Sequence, residues 1–200
     1  MSSILINMTF VDKGWRSSIL SSLCYHCPLD SRTGCCKIKS TLFWGDLGFI
    51  ALNHPDLLSE ILNKSTALLL PHGISYDCIT EKCTFLTETG CYLPREAKSL
   101  MCRTFTCYGL ELDSHPIGGK WTMAMERLSR EERQLNSELS AKTLSLKLKK
   151  PGDLMGRIAD FISVYQSIYS FEPVWLKEFL TEKSFQMVIS KPELLSWRLH

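Results

Sequence analysis

The 200-residue chain has no long hydrophobic run. Its longest aliphatic stretch, ALLL at 67–70, falls far short of the roughly 20 apolar residues that cross a bilayer, so no membrane partner is expected. The stretch MSSILINMTFVDKGWR lacks a basic region followed by a sustained apolar one, and the expected location is cytoplasmic. A surplus of one charge is also missing. Lys and Arg number 23 against 21 Asp and Glu. A nucleic-acid partner would call for a basic stripe to neutralise phosphates, so none is expected. The one short basic cluster, KLKK at 147–150, is explained by a solvated helix end. Internal repeats, low-complexity tracts and a Gly-rich phosphate loop are absent. With 44% apolar and 22% charged residues, the composition excludes a disordered, collagen-like or fibrous chain.

Cysteine is absent from residues 108–200 and abundant before them. The nine are Cys24, Cys27, Cys35, Cys36, Cys78, Cys83, Cys91, Cys102 and Cys107. Scattered core cysteines would not stop halfway along a chain. In a reducing compartment they are poorly explained as a disulfide framework, which leaves metal ligation or redox chemistry.

The first cluster is CYHCPLDSRTGCC at 24–36, where the CxxC spacing lets one tight turn present two sulfurs to one metal. The second, CITEKCTFLTETGCYLPREAKSLMCRTFTC at 78–107, adds five cysteines. Together they offer more thiolates than one tetrahedral site uses, so two sites, or one site with spare cysteines, are expected. Adjacent Cys35 and Cys36 point to opposite faces of extended backbone, which suits two sites or different irons of a polynuclear cluster. The expected ligands are Cys24, Cys27, Cys35, Cys36, Cys83, Cys91, Cys102 and Cys107, and the expected cofactor is an iron-sulfur cluster or zinc. Four thiolates around a divalent metal leave about −2 of charge for peptide N–H groups or a cation to offset. Arg103, directly after Cys102, is the candidate counter-charge; the alternative is a surface arginine. The role of Cys78 stays open. His26, inside the CxxC pair, either replaces a sulfur at a zinc site or, as residues in so tight a turn usually do, points away from the metal, and its role stays open. His115 either completes a mixed site or stands solvated at a turn, and His54 and His72, each beside a proline, read as turn residues. A thioredoxin-like role for Cys24 and Cys27 fails for want of a flanking strand and helix.

This arrangement resembles the CxxCxxCC cysteine-cluster family of YkgJ-type zinc- or iron-chelating domains. Residues 24–107 carry the resemblance. The family's opening cysteines, ending in a CC pair, are matched by Cys24, Cys27, Cys35 and Cys36. Its later pattern is matched by Cys83-Thr84-Phe85-Leu86, by Gly90-Cys91 and by Cys102-Arg103-Thr104-Phe105, with Cys107 just after. The gap between Cys27 and the pair is wider than usual, and Lys98-Ser99 lies near where the family has Arg-Pro before Cys-Arg. Larger members include flagellin lysine N-methylases, linked to an iron-sulfur cluster and S-adenosylmethionine. The resemblance thus implies, as an alternative, an iron-sulfur-dependent enzyme that modifies a protein substrate. No CxxxCxxC radical motif or Gly-rich methyl-donor turn accompanies it. A further alternative is a structural zinc protein whose helical part mediates assembly with a protein partner.

The fold class expected is α+β: a small, irregular, metal-organised cysteine-rich domain at 1–119, followed by a helical segment at 120–200 packed on it. The seam is placed near His115-Pro116-Ile117-Gly118-Gly119, a sequence built to turn. TLFWGDLGFIAL at 41–52 suggests short extended pieces around Gly45 and Gly48, and Asn53 is a candidate cap for a helix over 55–64. Trp121, Met125, Leu128, Leu135, Leu139 and Leu146 form a helical stripe that Glu132 and Lys142 interrupt. Asp153 can cap the next helix, lined by Ile158, Phe161, Tyr165 and Ile168. Pro173 opens another with Trp175, Leu176, Phe179 and Leu180, and a short last helix follows Pro192.

Overall fold

Alternating residues of SILINMTFV give a strand, β1 (Ser3–Val11), that buries Ile6, Met8 and Phe10 and exposes Leu5 and Asn7. A computed structural model describes residues 3–22, 40–77, 83–87, 90–104 and 112–190. After β2 (Ser18–Ser21) and β3 (Ser40–Phe43) come helices α1 (Trp44–Asn53) and α2 (Pro55–Leu62). Strands β4 (Ala67–Leu70) and β5 (Gly73–Tyr76) follow, then the two-residue strands β6 (Leu86–Thr87) and β7 (Gly90–Cys91). The rest is α3 (Leu100–Thr104), α4 (Pro116–Thr143), α5 (Ile158–Ile168), α6 (Leu176–Phe179) and β8 (Ser184–Ser190). The class is α+β, with small antiparallel sheets and a helical segment. No helix among the described residues is long and apolar enough to cross a membrane.

Two three-stranded antiparallel sheets, ordered β2-β1-β8 and β3-β5-β4, organise two apolar clusters. In the first sheet β1 is central, with Phe10 opposite Ile19 of β2 and Met8 opposite Phe185 of β8. Its inner face meets Trp121, Met125 and Leu128 of α4. The second sheet packs with α1, α2 and α5 through Leu42, Ile50, Ile61, Ile74 and Phe161. The 28-residue helix α4 serves both clusters: its first half faces the β1 sheet, and Leu139 near its end lies in the other. Each fully buried side chain of this size contributes about 1.5–3 kcal/mol, so the two clusters supply most of the fold's driving force.

Several local features depart from the sequence-based expectations. Residues 41–52 are not short extended pieces: the strand ends at Phe43 and a helix begins at Trp44. Gly45 and Gly48 lower helix propensity, but they let α5 come close. A Cβ at Gly45 would strike the Tyr169 hydroxyl, and one at Gly48 the Tyr165 ring. Asn53 ends α1, its side-chain amide donating to the Phe49 carbonyl at 2.9 Å, so that His54 occupies the cap position of α2. The seam at 115–119 is the start of α4, with His115 at the cap: its Nδ1 accepts from the Ile117 amide and its ring stacks on Phe185. Asp153 does not cap α5, whose cap position is Arg157 with no side-chain bond; it lies in a 3-10 helix at Pro151–Arg157, and its Oδ2 accepts from the amides of Lys149 and Lys150 at the start of that turn. Residues 184–190, within the stretch expected to be helical, form a strand that runs antiparallel along β1. The first and last parts of the chain are therefore interleaved. The helix opened by Pro173 is a single turn, and the one expected after Pro192 lies outside the described residues.

A Gly→Ala change inside a helix ordinarily stabilises by about 0.5–1 kcal/mol. Gly48→Ala should instead destabilise, by about 1–3 kcal/mol, because the methyl displaces the packed ring of Tyr165. Urea unfolding of the variant reads the sign directly, and a stabilised variant would mean that α5 yields at that contact.

Candidate functional site

Two cysteines share one hairpin. Cys83 opens it, its carbonyl accepting from the Leu86 amide at 3.0 Å, and Cys91 closes it, opposite Leu86 in the β6–β7 pair. Phe85 anchors the loop: it is buried, edge-on to Tyr76 and to Tyr92, and its carbonyl accepts from the Tyr92 amide. Both thiols are half-buried and unbridged, packed against the cluster built on the β3-β5-β4 sheet. Burial pushes the Cys91 thiol above its ordinary value, and the Cys83 thiol nearby adds to the shift. The Lys98 ammonium and a hydrogen bond with the Leu93 backbone act the other way. A cation and a backbone donor directed at sulfur are the groups that stabilise a metal-bound thiolate.

Cys102 is exposed on the short helix α3. The next residue, Arg103, turns inward and is 1% exposed, which rules out a surface arginine. Its Nη2 donates to both carboxylate oxygens of Glu132, at 2.7 and 2.8 Å, and its Nη1 to the carbonyls of Trp15 and Ser17. Beside it Arg16 donates to Asp46 at 2.8 Å and to Glu132 at 3.1 Å. All four charged residues are buried, and their charges sum to zero. Burial opposes the charge on Arg16, but Asp46 and Glu132 outweigh it and hold its pKa above the ordinary value. Arg103, buried and facing Arg16, is held below the ordinary value in spite of the same two carboxylates.

The ion network reaches the hairpin through Lys98. Its carbonyl accepts from Arg16 at 2.8 Å and from Arg103 at 3.1 Å, while its side chain acts on Cys91. Arg16 also donates to the carbonyl of Glu96 at 2.7 Å. The backbone from Glu96 to Lys98 is thus clamped by two buried guanidiniums.

No protein-family model matches this chain, nor does any curated protein or solved structure. Of the expected ligands, Cys83, Cys91 and Cys102 are described; Cys24, Cys27, Cys35, Cys36 and Cys107 lie outside the described residues, as do Cys78 and His26. The hairpin carries Cys83 and Cys91 on its two arms, within electrostatic reach of each other. Among the described residues, no three His, Cys, Asp or Glu side chains are grouped to hold a metal ion, so Cys102 does not complete a set with that pair. His54 lies 3.8 Å from Glu96, and the His72 ring lies against Phe43. Arg103, the expected counter-charge, has its described partners among carboxylates and carbonyls, and the cation beside Cys91 is Lys98. Sequence reasoning missed Arg16 and Asp46 altogether, and it noted Lys98 only as a departure from the family's Arg-Pro. It noted Glu132 only as an interruption of the apolar stripe, although Glu132 falls in phase with Trp121, Met125, Leu128 and Leu139 and is buried with them.

Removing one member of a buried, balanced network leaves an unpaired charge. Glu132→Gln should destabilise the protein by about 3–5 kcal/mol, measured by denaturant titration, whereas a loss below about 1 kcal/mol would mean that water reaches the guanidiniums. A second expectation concerns pH. An unfolded cysteine ionises near about 8.5. Since the folded thiol of Cys91 is raised, its contribution to stability is complete below that pH and is lost as pH rises through the folded-state value. Metal-free wild type should therefore lose more stability than Cys91→Ser between neutral and alkaline pH. Parallel losses would show Cys91 to be uninvolved.

Proposed function

We propose that the protein binds an iron-sulfur cluster or zinc through cysteine thiolates, with Cys83 and Cys91 supplying one pair. The observation that carries this is the hairpin, which holds two half-buried thiols within electrostatic reach of each other, with a backbone donor and a lysine ammonium acting on one of them. A purely apolar role would need neither. The pair provides half of a tetrahedral set, and the remaining ligands come from Cys24, Cys27, Cys35, Cys36 and Cys107, with Cys102 in a second set. Lys98 offsets part of the negative charge that several thiolates bring to one metal. Bound metal would supply either a fold-stabilising tetrahedral centre or, as a cluster, a one-electron carrier.

Metal binding requires thiolates, so it competes with protons and is coupled to folding. Protein purified without oxygen should carry stoichiometric metal: iron with labile sulfide and a brown colour for a cluster, or zinc without colour. Cys83→Ser, Cys91→Ser, Cys35→Ser and Cys102→Ser should each lower metal content and thermal stability, and acidification should release the metal. Protein with neither metal at stoichiometry, or a metal-free Cys35→Ser/Cys102→Ser variant as stable as wild type, would overturn the proposal.

A further inference from the structure

The KLKK segment borders an apolar groove. A cavity of about 230 Å³ lies between Trp44 at the start of α1, Leu69 of β4 and Pro71 just after it, and Leu144, Lys147 and Leu148 beyond the end of α4. Its floor is firm, since Trp44 is buried and its indole N–H donates to the Pro71 carbonyl at 2.8 Å. Sites that enclose a whole small-molecule ligand run to about 300–1,000 Å³, so this one is sized for a single bulky apolar side chain. Leu144 on its border is 68% exposed. Lys147 has φ 53° and ψ 40°, a left-handed conformation found at no other described residue except glycine. Glycine or asparagine commonly fills such a position after a helix, and a lysine there costs about 1 kcal/mol.

Basic side chains outnumber acidic ones around the groove, although the Asp153 carboxylate lies within electrostatic reach of Lys149 and Lys150. Lys147, Lys149 and Lys150 are exposed, and none forms a salt bridge among the described residues. Lys142 is paired with Glu138 at 3.2 Å, and the nearby carboxylate of Asp153 is engaged by the amides of Lys149 and Lys150. We infer that the groove is a docking site for a linear acidic segment of a partner protein. One large apolar residue of that segment fills the space between Trp44 and Leu148, and its flanking carboxylates meet the three lysines. A nucleic acid would use the lysines and leave the apolar groove empty. A lipid surface would engage the projecting Leu144 but leave the depression lined by Trp44, Leu69 and Leu148 unfilled. This inference is independent of the metal proposal.

The test uses the full chain and fluorescein-labelled peptides Asp-Glu-Asp-X-Asp-Glu-Asp, with X being Leu, Ile, Met, Phe or Trp, read by anisotropy. At least one should bind saturably, and binding should weaken as added salt shortens the screening length below about 10 Å. The peptide with X replaced by Ser should bind at least about tenfold more weakly, as should the Lys147→Glu/Lys149→Glu/Lys150→Glu and Leu144→Asp variants with the best peptide. These positions are exposed, so circular dichroism should show the variants folded. Absence of saturable binding across the five peptides would overturn the inference, and so would equal binding of the Ser peptide or indifference to the lysine substitutions. Tighter binding to phosphatidylserine vesicles or to single-stranded RNA than to any peptide would overturn it in favour of those surfaces.

Discussion

The buried network of Arg16, Asp46, Arg103 and Glu132 is the constraint on which the arrangement depends. Its members come from the loop before β2, from α1, from α3 and from α4, four elements far apart in sequence. Two positive and two negative charges removed from water cost several kcal/mol each before their attraction is counted, and only near-complete pairing offsets that. Pairing requires all four elements to be in register at once. The network is therefore better understood as selecting one packing of these elements than as adding stability. Asp46 shows the same economy: one carboxylate oxygen accepts from Arg16 and the other from the Phe43 amide at the start of α1. Asn136, one turn along α4 from Glu132, continues the polar seam, its carbonyl oxygen accepting from the Gly45 amide.

This constraint extends to the cysteine-bearing part. Lys98 is held by its carbonyl to both arginines, and its side chain acts on Cys91, while Arg103 fixes the helix that carries Cys102. The surroundings of these thiols are thus set by charges buried between α1 and α4 as well as by the hairpin itself. Under the metal-binding proposal, part of the ligand geometry is prepared by the fold, and metal binding has less of the chain left to order.

Legibility in the sequence varied with the kind of signal. The stripe of α4 was plain, since Trp121, Met125, Leu128 and Leu139 repeat at helical spacing, and the structure buries them on one face. The same stripe concealed Glu132. An acid at an apolar position looks like an error of pattern until its partners are known, and Arg16 and Arg103 lie far away in sequence. Gly45 and Gly48 misled for a related reason. They argue against a helix in isolation, and only the approach of Tyr165 and Tyr169 explains why the helix carries them. The β8 strand was read as part of a helical stretch because an edge strand of SFQMVIS has no pattern stronger than its pairing with β1.

The sequence by itself determined the elements whose signals are local. These are the amphipathic helices, the alternation that makes β1 a strand, and the confinement of cysteine to the stretch from Cys24 to Cys107. Tertiary structure alone decided which charge meets which. It turned Arg103 from a neighbour of Cys102 into a partner of Glu132, put Lys98 beside Cys91, and joined the two ends of the chain through β1 and β8. The physical reason is that local patterns record solvent exposure along a single element. Pairing of buried charges and strands depends on separations in space, which periodicity does not encode.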